Sequence, residues 1–417
     1  MPPLDYLKWM QRAAESGKGL GAMIREIASL QFGPGKVSPE EYFLYELYND
    51  QRYSPEAKRT FIGNSAPTVE STWAEVVNDK PTLTAILRGL DLPVPETQAV
   101  VHPNRTFGGA DALRTPDDLR RFLREDAVYP IFGKPFDSAC SLGTANISEF
   151  DYAADAIVLS DGKRVDLDAF ADQIKRFDWK YLFQTLMRPH PSLVPITGNR
   201  VSTVRMFVLS DDEGCVLLRA SWKIPAFENG ADNFWRAGNI LAGIDVETGR
   251  LGRTLRRTRF GTEPVKEHPL TDARFEDLRF PEWDAMRDTV LQAAPNLPGC
   301  FFQGWDVALT DQGPVLVELE GDGGDPIMEQ LCFDTGLLQG RFARFVEESK
   351  KRKKQKKAEG KADRRSKLKR NLAVLSAGGK EGPSSPSEPE TESADAQSGS
   401  VERSGTDKES RREPVEA

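Results

Sequence analysis

Apolar residues along this chain follow two kinds of pattern, which predict helices first and strands later. Residues 1–75 show helical spacing of apolar positions, most clearly over residues 42–48. A further helix is predicted to run from a cap at Asn78 or Asp79 through Leu90. Short apolar stretches bounded by turn residues predict strands at 128–134, 181–187, 201–208, 216–223, 304–309 and 315–320. These signals alternate without regular βαβ spacing, so the sequence predicts an α+β protein.

The last two predicted strands form a hairpin that carries three carboxylates on one face. With the turn centred on Gln312, Asp306 lies directly opposite Glu318, and alternation places Glu320 on the same face. Opposed Cβ atoms are ~5 Å apart, and like charges in that arrangement are destabilising. A divalent cation relieves the repulsion, so we predict Asp306, Glu318 and Glu320 as ligands of Mg²⁺ or Mn²⁺. An exposed hairpin with one acidic face is the alternative.

A second pattern combines a strand with a loop of small residues. The strand predicted at 128–134 delivers Lys134 and continues into a loop that contains Ser138, Ser141 and Gly143. A lysine offers a point charge suited to phosphate oxygens, and small residues let backbone N–H groups approach a polyphosphate. The chain has no GxxxxGK[ST] motif, so this is not a P-loop. A surface lysine that happens to precede a loop is the alternative.

Three cations lie on the next predicted strands. Arg205 stands among apolar residues of the stretch 201–208, and alternation puts Arg219 and Lys223 on one face of the stretch 216–223. Cations that face carboxylates and a phosphate loop would stabilise an anionic transition state. Each of them, taken singly, would also fit an ordinary salt bridge.

Composition and charge indicate an enzyme of the cytoplasm with a charged appendage. The chain has 417 residues, of which 39% are hydrophobic, and a net charge of −8. Thirteen basic and two acidic residues lie between Lys350 and Arg370, so the rest of the chain carries a net charge of −19. This acidic body argues against broad nucleic-acid binding. Residues 371–417 are poor in large apolar residues and are predicted to be disordered, because they cannot bury enough surface.

Several other classes of site and segment are not expected. The four cysteines and three histidines are far apart in the sequence, which argues against a zinc site, a disulfide framework or a histidine-based metal site. The N-terminus lacks the charged and apolar regions of a signal peptide. No stretch approaches the ~20 apolar residues of a membrane span.

Taken in order, these features resemble the ATP-grasp superfamily, and more narrowly its sugar-transfer associated group, which is related to α-L-glutamate ligases. The resemblance covers about residues 20–345. The matching features are Gly35-Lys36, Glu41-Tyr42-Phe43, Asn78-Asp79-Lys80, Gly133-Lys134-Pro135 with Ser141 and Gly143, Thr203-Val204-Arg205, Asp232-Asn233, Gly304-Trp305-Asp306 and Glu318-Leu319-Glu320. No single motif is specific, but their order and the spacing of Asp306, Glu318 and Glu320 make the combination fairly specific.

The resemblance implies an ATP-grasp fold, in which two α+β subdomains grip the nucleotide. It divides the chain into an N-terminal helical region (1–75), a first subdomain (76–180), a second subdomain with the metal site (181–345), and a basic helix end with a disordered tail (346–417).

The resemblance also implies which residues bind ATP. Lys80 and Lys134 would reach the nucleotide, and the loop Ser138–Gly143 would close over its phosphates. The strand that contains Gln184 and Leu186 would present backbone groups to the adenine.

Two positions depart from the pattern of the group. Asp306 and Glu318 would hold Mg²⁺, but Glu320 stands where such enzymes usually have asparagine. Gly238-Asn239 stands where the group tends to have paired glycines. The first departure adds a negative charge, which would either alter metal use or mark weakened catalysis.

The activity implied by the resemblance is acyl activation. A carboxylate attacks the γ-phosphate of ATP, and an amine or another nucleophile, sugar-linked or not, then displaces phosphate from the acyl phosphate. Arg205, Arg219 and Lys223 would stabilise the phosphoryl group or the oxyanion, and residues 227–236 with the N-terminal helices would form the acceptor pocket. Surface polysaccharide or amino-acid conjugate synthesis is the expected setting. An ATP-grasp kinase and a nucleotide-binding scaffold without turnover are the alternatives.

Overall fold

The computed structural model describes residues 3–33, 36–49, 69–136, 143–226, 232–259 and 261–377. Residues up to Gln355 form one compact unit, and a second unit begins at Lys356. The helices are α1 (Pro3–Glu15), α2 (Leu20–Phe32), α3 (Pro39–Leu44), α4 (Ser71–Asn78), α5 (Lys80–Gly89), α6 (Pro116–Arg121), α7 (Leu167–Lys175), α8 (Val194–Thr197), α9 (Trp283–Ala293), α10 (Ile327–Phe333) and α11 (Gly340–Ala377), with a π-helical turn at Phe122–Asp126 and a 3₁₀ turn at Ala294–Asn296.

The described strands form two seven-stranded sheets. They are β1 (Thr97–Val101), β2 (Asp111–Leu113), β3 (Ile131–Pro135), β4 (Ala145–Asp151), β5 (Ala156–Leu159), β6 (Arg164–Asp166), β7 (Tyr181–Thr185), β8 (Thr203–Asp211), β9 (Gly214–Ile224), β10 (Ile240–Ile244), β11 (Leu251–Arg257), β12 (Thr262–Pro264), β13 (Phe302–Thr310) and β14 (Gly313–Glu320). The first sheet has the order β2-β1-β7-β3-β4-β5-β6 and the second the order β12-β11-β10-β9-β8-β13-β14.

The N-terminal helices pack against the second sheet through an aromatic cluster. Ser38 and Glu41 form a reciprocal capping box that starts α3. The next two residues, Tyr42 and Phe43, are buried in a cluster that also contains residues of α10. The Gln330 side chain of α10 donates a hydrogen bond to the Tyr45 hydroxyl, so polar contacts as well as apolar ones join these helices to the body.

The first sheet carries its helices on one face. Residues of α7 and of the π-helical turn pack there on β1, β3 and β7, with Phe122, Phe170 and Phe183 in one core. Strand β7 pairs with β1 on one side and β3 on the other, both antiparallel. The sequence groups residues 181–185 with the second subdomain, whereas the backbone pairs them in the first sheet. The division into four parts otherwise stays a prediction.

The second sheet separates an apolar face from a polar one by side-chain alternation. Val204, Trp222 and Trp305 point into the main core, which also contains α9. Their neighbours along the strands, Arg205 and Asp306, therefore point to the opposite face. This face of the second sheet forms one wall of the candidate site.

Within the described residues, the predicted elements are found within a few residues of their predicted limits, whereas residues 34–35 and 50–68 of the predicted helical region lie outside that part. Three of the element ends are informative. Helix α5 begins at Lys80 because Asp79 is its cap, with a carboxylate oxygen that accepts from the Thr82 amide at 2.9 Å. The strand predicted at 128–134 is shorter at its start. Helix α11 continues to Ala377, so residues 371–377 are helical rather than disordered, and residues beyond them lie outside the described part. None of the described helices is both long and apolar enough to span a bilayer.

Candidate functional site

A cavity of about 630 Å³ is lined by residues of both sheets and of helix α5. Small-molecule sites have volumes of roughly 300–1,000 Å³, so the cavity has the size of a ligand site. It brings together many of the predicted site residues, namely Lys80, Lys134, Arg205, Lys223, Asp306, Glu318 and Glu320. Residues that the sequence separates by up to 240 positions therefore share one cleft.

The hairpin β13–β14 has the predicted pairing of its carboxylates, although its turn differs from the predicted one. Asp306 lies directly opposite Glu318, as the sequence analysis predicts. The turn, however, closes with Thr310 opposite Gly313, so its centre is displaced from the predicted one. A register shift after Asp306 leaves Val317 as an extra residue on β14 and corrects the displacement. The bulge is therefore what puts the carboxylates on the cleft side.

Asp306 is buried between two cations. Its Oδ1 lies 2.7 Å from Arg205 Nε, and its Oδ2 lies 2.9 Å from Lys223 Nζ. Burial by itself raises the pKa of Asp306, but the charges of Arg205 and Lys223 outweigh burial and hold the pKa well below its usual range. These three residues form a buried triad that is ionised at neutral pH.

The other two carboxylates of the hairpin are more accessible. Glu318 Oε1 lies 3.0 Å from the Lys80 ammonium, which also donates to the Phe136 carbonyl at 2.8 Å. Glu320 Oε1 lies 3.9 Å from Arg205 Nη2, and no described cation lies closer to it. Burial, followed by the nearby charges of Glu318 and Asp306, raises the pKa of Glu320, although Arg205 partly opposes this shift.

Lys134 is a buried cation without a hydrogen-bond acceptor among the described residues. Its side chain is 7% exposed and lines the cavity from the first sheet. Burial lowers its pKa, and the Lys80 charge acts in the same direction, while Glu318 and Asp306 oppose them. An ammonium in such surroundings is stabilised by an anionic ligand.

The small-residue loop is only partly described. Ser138 and Ser141 lie outside the described residues, whereas Gly143 has φ +75°, a conformation that favours glycine. The Gly143 carbonyl accepts from the Tyr181 hydroxyl at 2.9 Å, and the Phe177 ring occupies the space that a Cβ would need. The end of the loop is thereby anchored to the first sheet, and the next residue, Thr144, lines the cavity.

Besides Gly143, three predicted site residues in the described part of the chain do not line the cavity. Gln184 is buried in the centre of the first sheet, where its amide reaches Thr97 Oγ1 at 3.4 Å, and the Leu186 amide donates to the Pro130 carbonyl at 3.1 Å. Arg219 donates to the Thr335 and Gly336 carbonyls at 2.8 and 2.7 Å. Arg219 lies four residues before Lys223 on β9 and does not line the cavity. The predicted roles of these residues in catalysis and adenine binding stay predictions.

The departure at Gly238-Asn239 has a structural explanation. Gly238 has φ +97°, and Asn239 is fully buried. The Asn239 side chain accepts from the Ala226 amide at 2.9 Å and donates to the Asn233 carbonyl at 2.7 Å. It thus ties together the two ends of the segment 227–231, which lies outside the described residues. Of the predicted acceptor segment, residues 232–235 line the cavity.

Sequence reasoning missed Glu329, a carboxylate in the apolar helix α10. It is fully buried, Ser221 Oγ donates to its Oε1 at 2.8 Å, and no described residue forms a hydrogen bond with its Oε2. Burial raises its pKa to about 7, partly opposed by the charge of Arg205. A single charge within an otherwise apolar helical stretch was the available signal.

We expect Glu329→Gln to become stabilising relative to the native chain as the pH rises from 4 to 8. Because the folded-state pKa is raised, the stability that the protonated carboxyl contributes is full below its unfolded pKa. It is lost progressively as the pH rises from the unfolded pKa to the folded-state pKa of about 7, by up to about 3 kcal/mol in all, and changes little above that. Thermal melting of both chains across this range measures the difference. Melting temperatures that run parallel with pH would contradict the prediction.

Comparison with known families gives a match over much of the chain. The profile of the family described as sugar-transfer associated ATP-grasp matches residues 66–344, more than half of the chain. The match confirms the resemblance inferred from the residues, and the two sheets with N-terminal helices agree with the expected fold class. A comparison with curated proteins gives no match.

Solved structures that the chain is similar to include several ligases and synthetases. An L-amino acid ligase from Bacillus licheniformis shares 13% identity, with a TM-score of 0.35, 61% of this chain covered and 43% of the other. The VanG D-Ala:D-Ser ligase from Enterococcus faecalis shares 14%, with a TM-score of 0.36 and coverages of 63% and 59%. In both cases less than two thirds of the other protein is spanned. These distant likenesses do not bear on the substrate.

Proposed function

Because the chain belongs to the sugar-transfer associated ATP-grasp family, we propose that it is an ATP- and Mg²⁺-dependent ligase. It forms an acyl phosphate from a carboxylate and transfers the acyl group to an amine or a similar nucleophile. The observation that carries the proposal is the cleft itself, in which Lys80 and Lys134 face the triad of Arg205, Lys223 and Asp306. Synthesis of a surface polysaccharide or an amino-acid conjugate is the setting we propose.

ATP would bind with its phosphates between the two lysines. Lys134 supports this placement most directly, since its buried ammonium lines the cavity and has no acceptor among the described residues. Lys80 is held at the same place by Glu318 and the Phe136 carbonyl. Two ammonium groups on one side of the cleft provide the point charges that phosphate oxygens require.

The residue types at the hairpin fit magnesium, although they do not form a ready metal group. Mg²⁺ takes oxygen ligands and usually combines one or two carboxylates with phosphate oxygens. The described residues contain no group of three or more His, Cys, Asp or Glu side chains that could hold a metal ion. Asp306 contacts two cations, and Glu318 contacts Lys80. Glu318 and Glu320 would hold the ion together with Asp306. When bound, it would neutralise charge on the phosphate oxygens.

Arg205 and Lys223 are the proposed stabilisers of the transferred phosphoryl group and of the tetrahedral oxyanion. Burial by itself lowers the pKa of Lys223, but Asp306 and Asp232 raise it above its usual value, so the side chain stays cationic. Asp306 holds both cations on the cleft side before substrate enters. Such preorganised charge is a large contribution to catalysis when it is aimed at a developing anion.

The acceptor would occupy the end of the cleft formed by residues 232–235 and Asp325. Asp232 is fixed by the Thr203 amide, which donates to it at 2.8 Å. Burial raises the pKa of Asp325. Carboxylates at this end suit an acceptor that carries an amine.

Glu320 supports a second candidate function, a nucleotide-binding scaffold without turnover. It places an extra charge beside Asp306, whose two oxygens already contact Arg205 and Lys223. In such a scaffold, Arg205 and Lys223 would neutralise Asp306 in place of a metal ion.

Product analysis separates these functions. We expect the full-length protein with Mg²⁺ to release ADP from ATP only when both an acid and an amine acceptor are present, and chelation of the metal to abolish the release. Pooled amino acids and sugar acids serve as the first substrates. Phosphate found on a hydroxyl product would establish a kinase. Nucleotide binding without product in any pool would favour the scaffold.

A further inference from the structure

Arg105 lies outside the cleft, in the connection between β1 and β2, and grips the start of helix α5. Its Nη1 lies 2.6 Å from Asp79 Oδ2 and its Nη2 lies 2.8 Å from Asp79 Oδ1, which is a bidentate pair. Its Nη2 also donates to Thr82 Oγ1 at 2.8 Å. Asp79 immediately precedes Lys80, so the guanidinium contacts the residue at which this segment enters the helix.

The same Arg105 guanidinium also contacts Phe136, the residue whose carbonyl binds the Lys80 ammonium. Its Cζ lies 5.7 Å from the centroid of the Phe136 ring, and the His102 ring stacks on Phe136 with centroids 6.1 Å apart. The Phe136 carbonyl is the acceptor of the Lys80 ammonium. Arg105 therefore contacts both the residue before Lys80 and the residue that receives its hydrogen bond.

Stability alone does not explain this arrangement. Asp79 already caps α5 through the Thr82 amide, a function that needs no arginine. The Arg105 and Asp79 side chains are 31% and 30% exposed, so solvent screens the pair and limits its contribution to stability. The planar guanidinium of Arg105 fixes the orientation of the Asp79 carboxylate, because two parallel hydrogen bonds to one carboxylate resist rotation.

We propose that Arg105 is a positioning residue for Lys80. It holds the Asp79-Lys80 segment against Phe136, so that the ammonium stands between the Phe136 carbonyl and Glu318 at the phosphate end of the cleft. The inference rests on the proposed function, in which Lys80 contacts the phosphates of ATP.

The test measures ATP affinity by titration calorimetry on the full-length protein with Mg²⁺. We expect Arg105→Gln to weaken ATP binding about tenfold, the range of a hydrogen bond to a charged group. Arg105→Lys keeps the positive charge but cannot form the bidentate pair, so its loss of ATP affinity should be smaller than that of Arg105→Gln. Arg88→Gln is the matched control, since Arg88 also lies 5.7 Å from a ring centroid, that of Phe107, and should leave affinity unchanged.

A double-mutant cycle with Lys80→Met decides whether Arg105 acts through Lys80. In that background, Arg105→Gln should cause no further loss of affinity. If the losses of ATP affinity in the two single variants multiply in the double variant, or if Arg105→Gln alone leaves the affinity unchanged, the inference is overturned. The proposed function would stay intact in either case. A large fall in the melting temperature of the free protein with unchanged affinity would also overturn it. Unchanged affinity in Lys80→Met would remove both the inference and the phosphate role of Lys80.

Discussion

Replacing Lys134 by Met is expected to weaken ATP binding about ten- to hundredfold, the range of one or more hydrogen bonds to a charged group. The free protein should be at least as stable as the native chain. Lys134 is buried, burial lowers its pKa, and no described residue accepts a hydrogen bond from it. Methionine keeps the length and apolar character of the stem and removes the charge, so the folded state loses a desolvation penalty while the bound state loses its partner for phosphate. Titration with ATP and thermal melting of the free protein measure the two effects.

Lys163→Met is the control for this variant, because Lys163 is an exposed lysine of the same sheet region. It should change neither quantity. If Lys134→Met destabilised the free protein strongly and bound ATP normally, Lys134 would be a structural residue and the placement of the phosphates would be wrong.

Asp306→Asn should lower the stability of the free protein by about 3–5 kcal/mol, as expected when one partner of a buried ion network is removed. Arg205 and Lys223 both donate to the Asp306 carboxylate, and the three side chains are less than a tenth exposed. An amide fits the same space but leaves two buried cations without their counter-ion. The folded-state pKa of Asp306 is depressed, so its contribution is full above the unfolded pKa and is lost only in strong acid. The penalty should therefore appear throughout pH 5 to 8.

Asp277→Asn provides the comparison. Asp277 Oδ1 lies 2.6 Å from Arg250 Nη2, but both side chains are more than half exposed. Such surface pairs contribute about 0–1 kcal/mol, so this variant should melt close to the native chain. Equal melting temperatures for the two variants would show that Asp306 does not stabilise the buried cations.

In the hairpin, side-chain alternation predicts the pairing of the carboxylates but not the turn that produces it. The spacing of Asp306 and Glu318 predicts their pairing, and the structure has that pairing. The prediction assumes a turn that the chain does not form, and the bulge at Val317 compensates. Bulges depend on packing of both strand faces, which local pattern does not encode.

Arg219 and Lys223 illustrate a second limit. Alternation correctly places both on one face of β9, since no register shift separates them from their partners on β8. Only Lys223 reaches the cleft, whereas Arg219 is taken by carbonyls of residues 335 and 336, more than a hundred positions later. Which cation meets Asp306 is decided by contacts distant in sequence.

The sequence by itself determined the types of the predicted elements, a helix cap at Asn78 or Asp79, the carboxylate pairing on the hairpin and the family, because these depend on local periodicity, turn chemistry and motif order. Only the tertiary structure decided how the charges are shared. Asp306 lies between Arg205 and Lys223, Lys80 contacts Glu318, and Lys134 has no such partner in the described part of the chain. Arg105 and Glu329 acquire their importance in the same way. Charge pairing depends on distances of a few ångströms between segments far apart in the chain, and burial then sets the strength of each interaction.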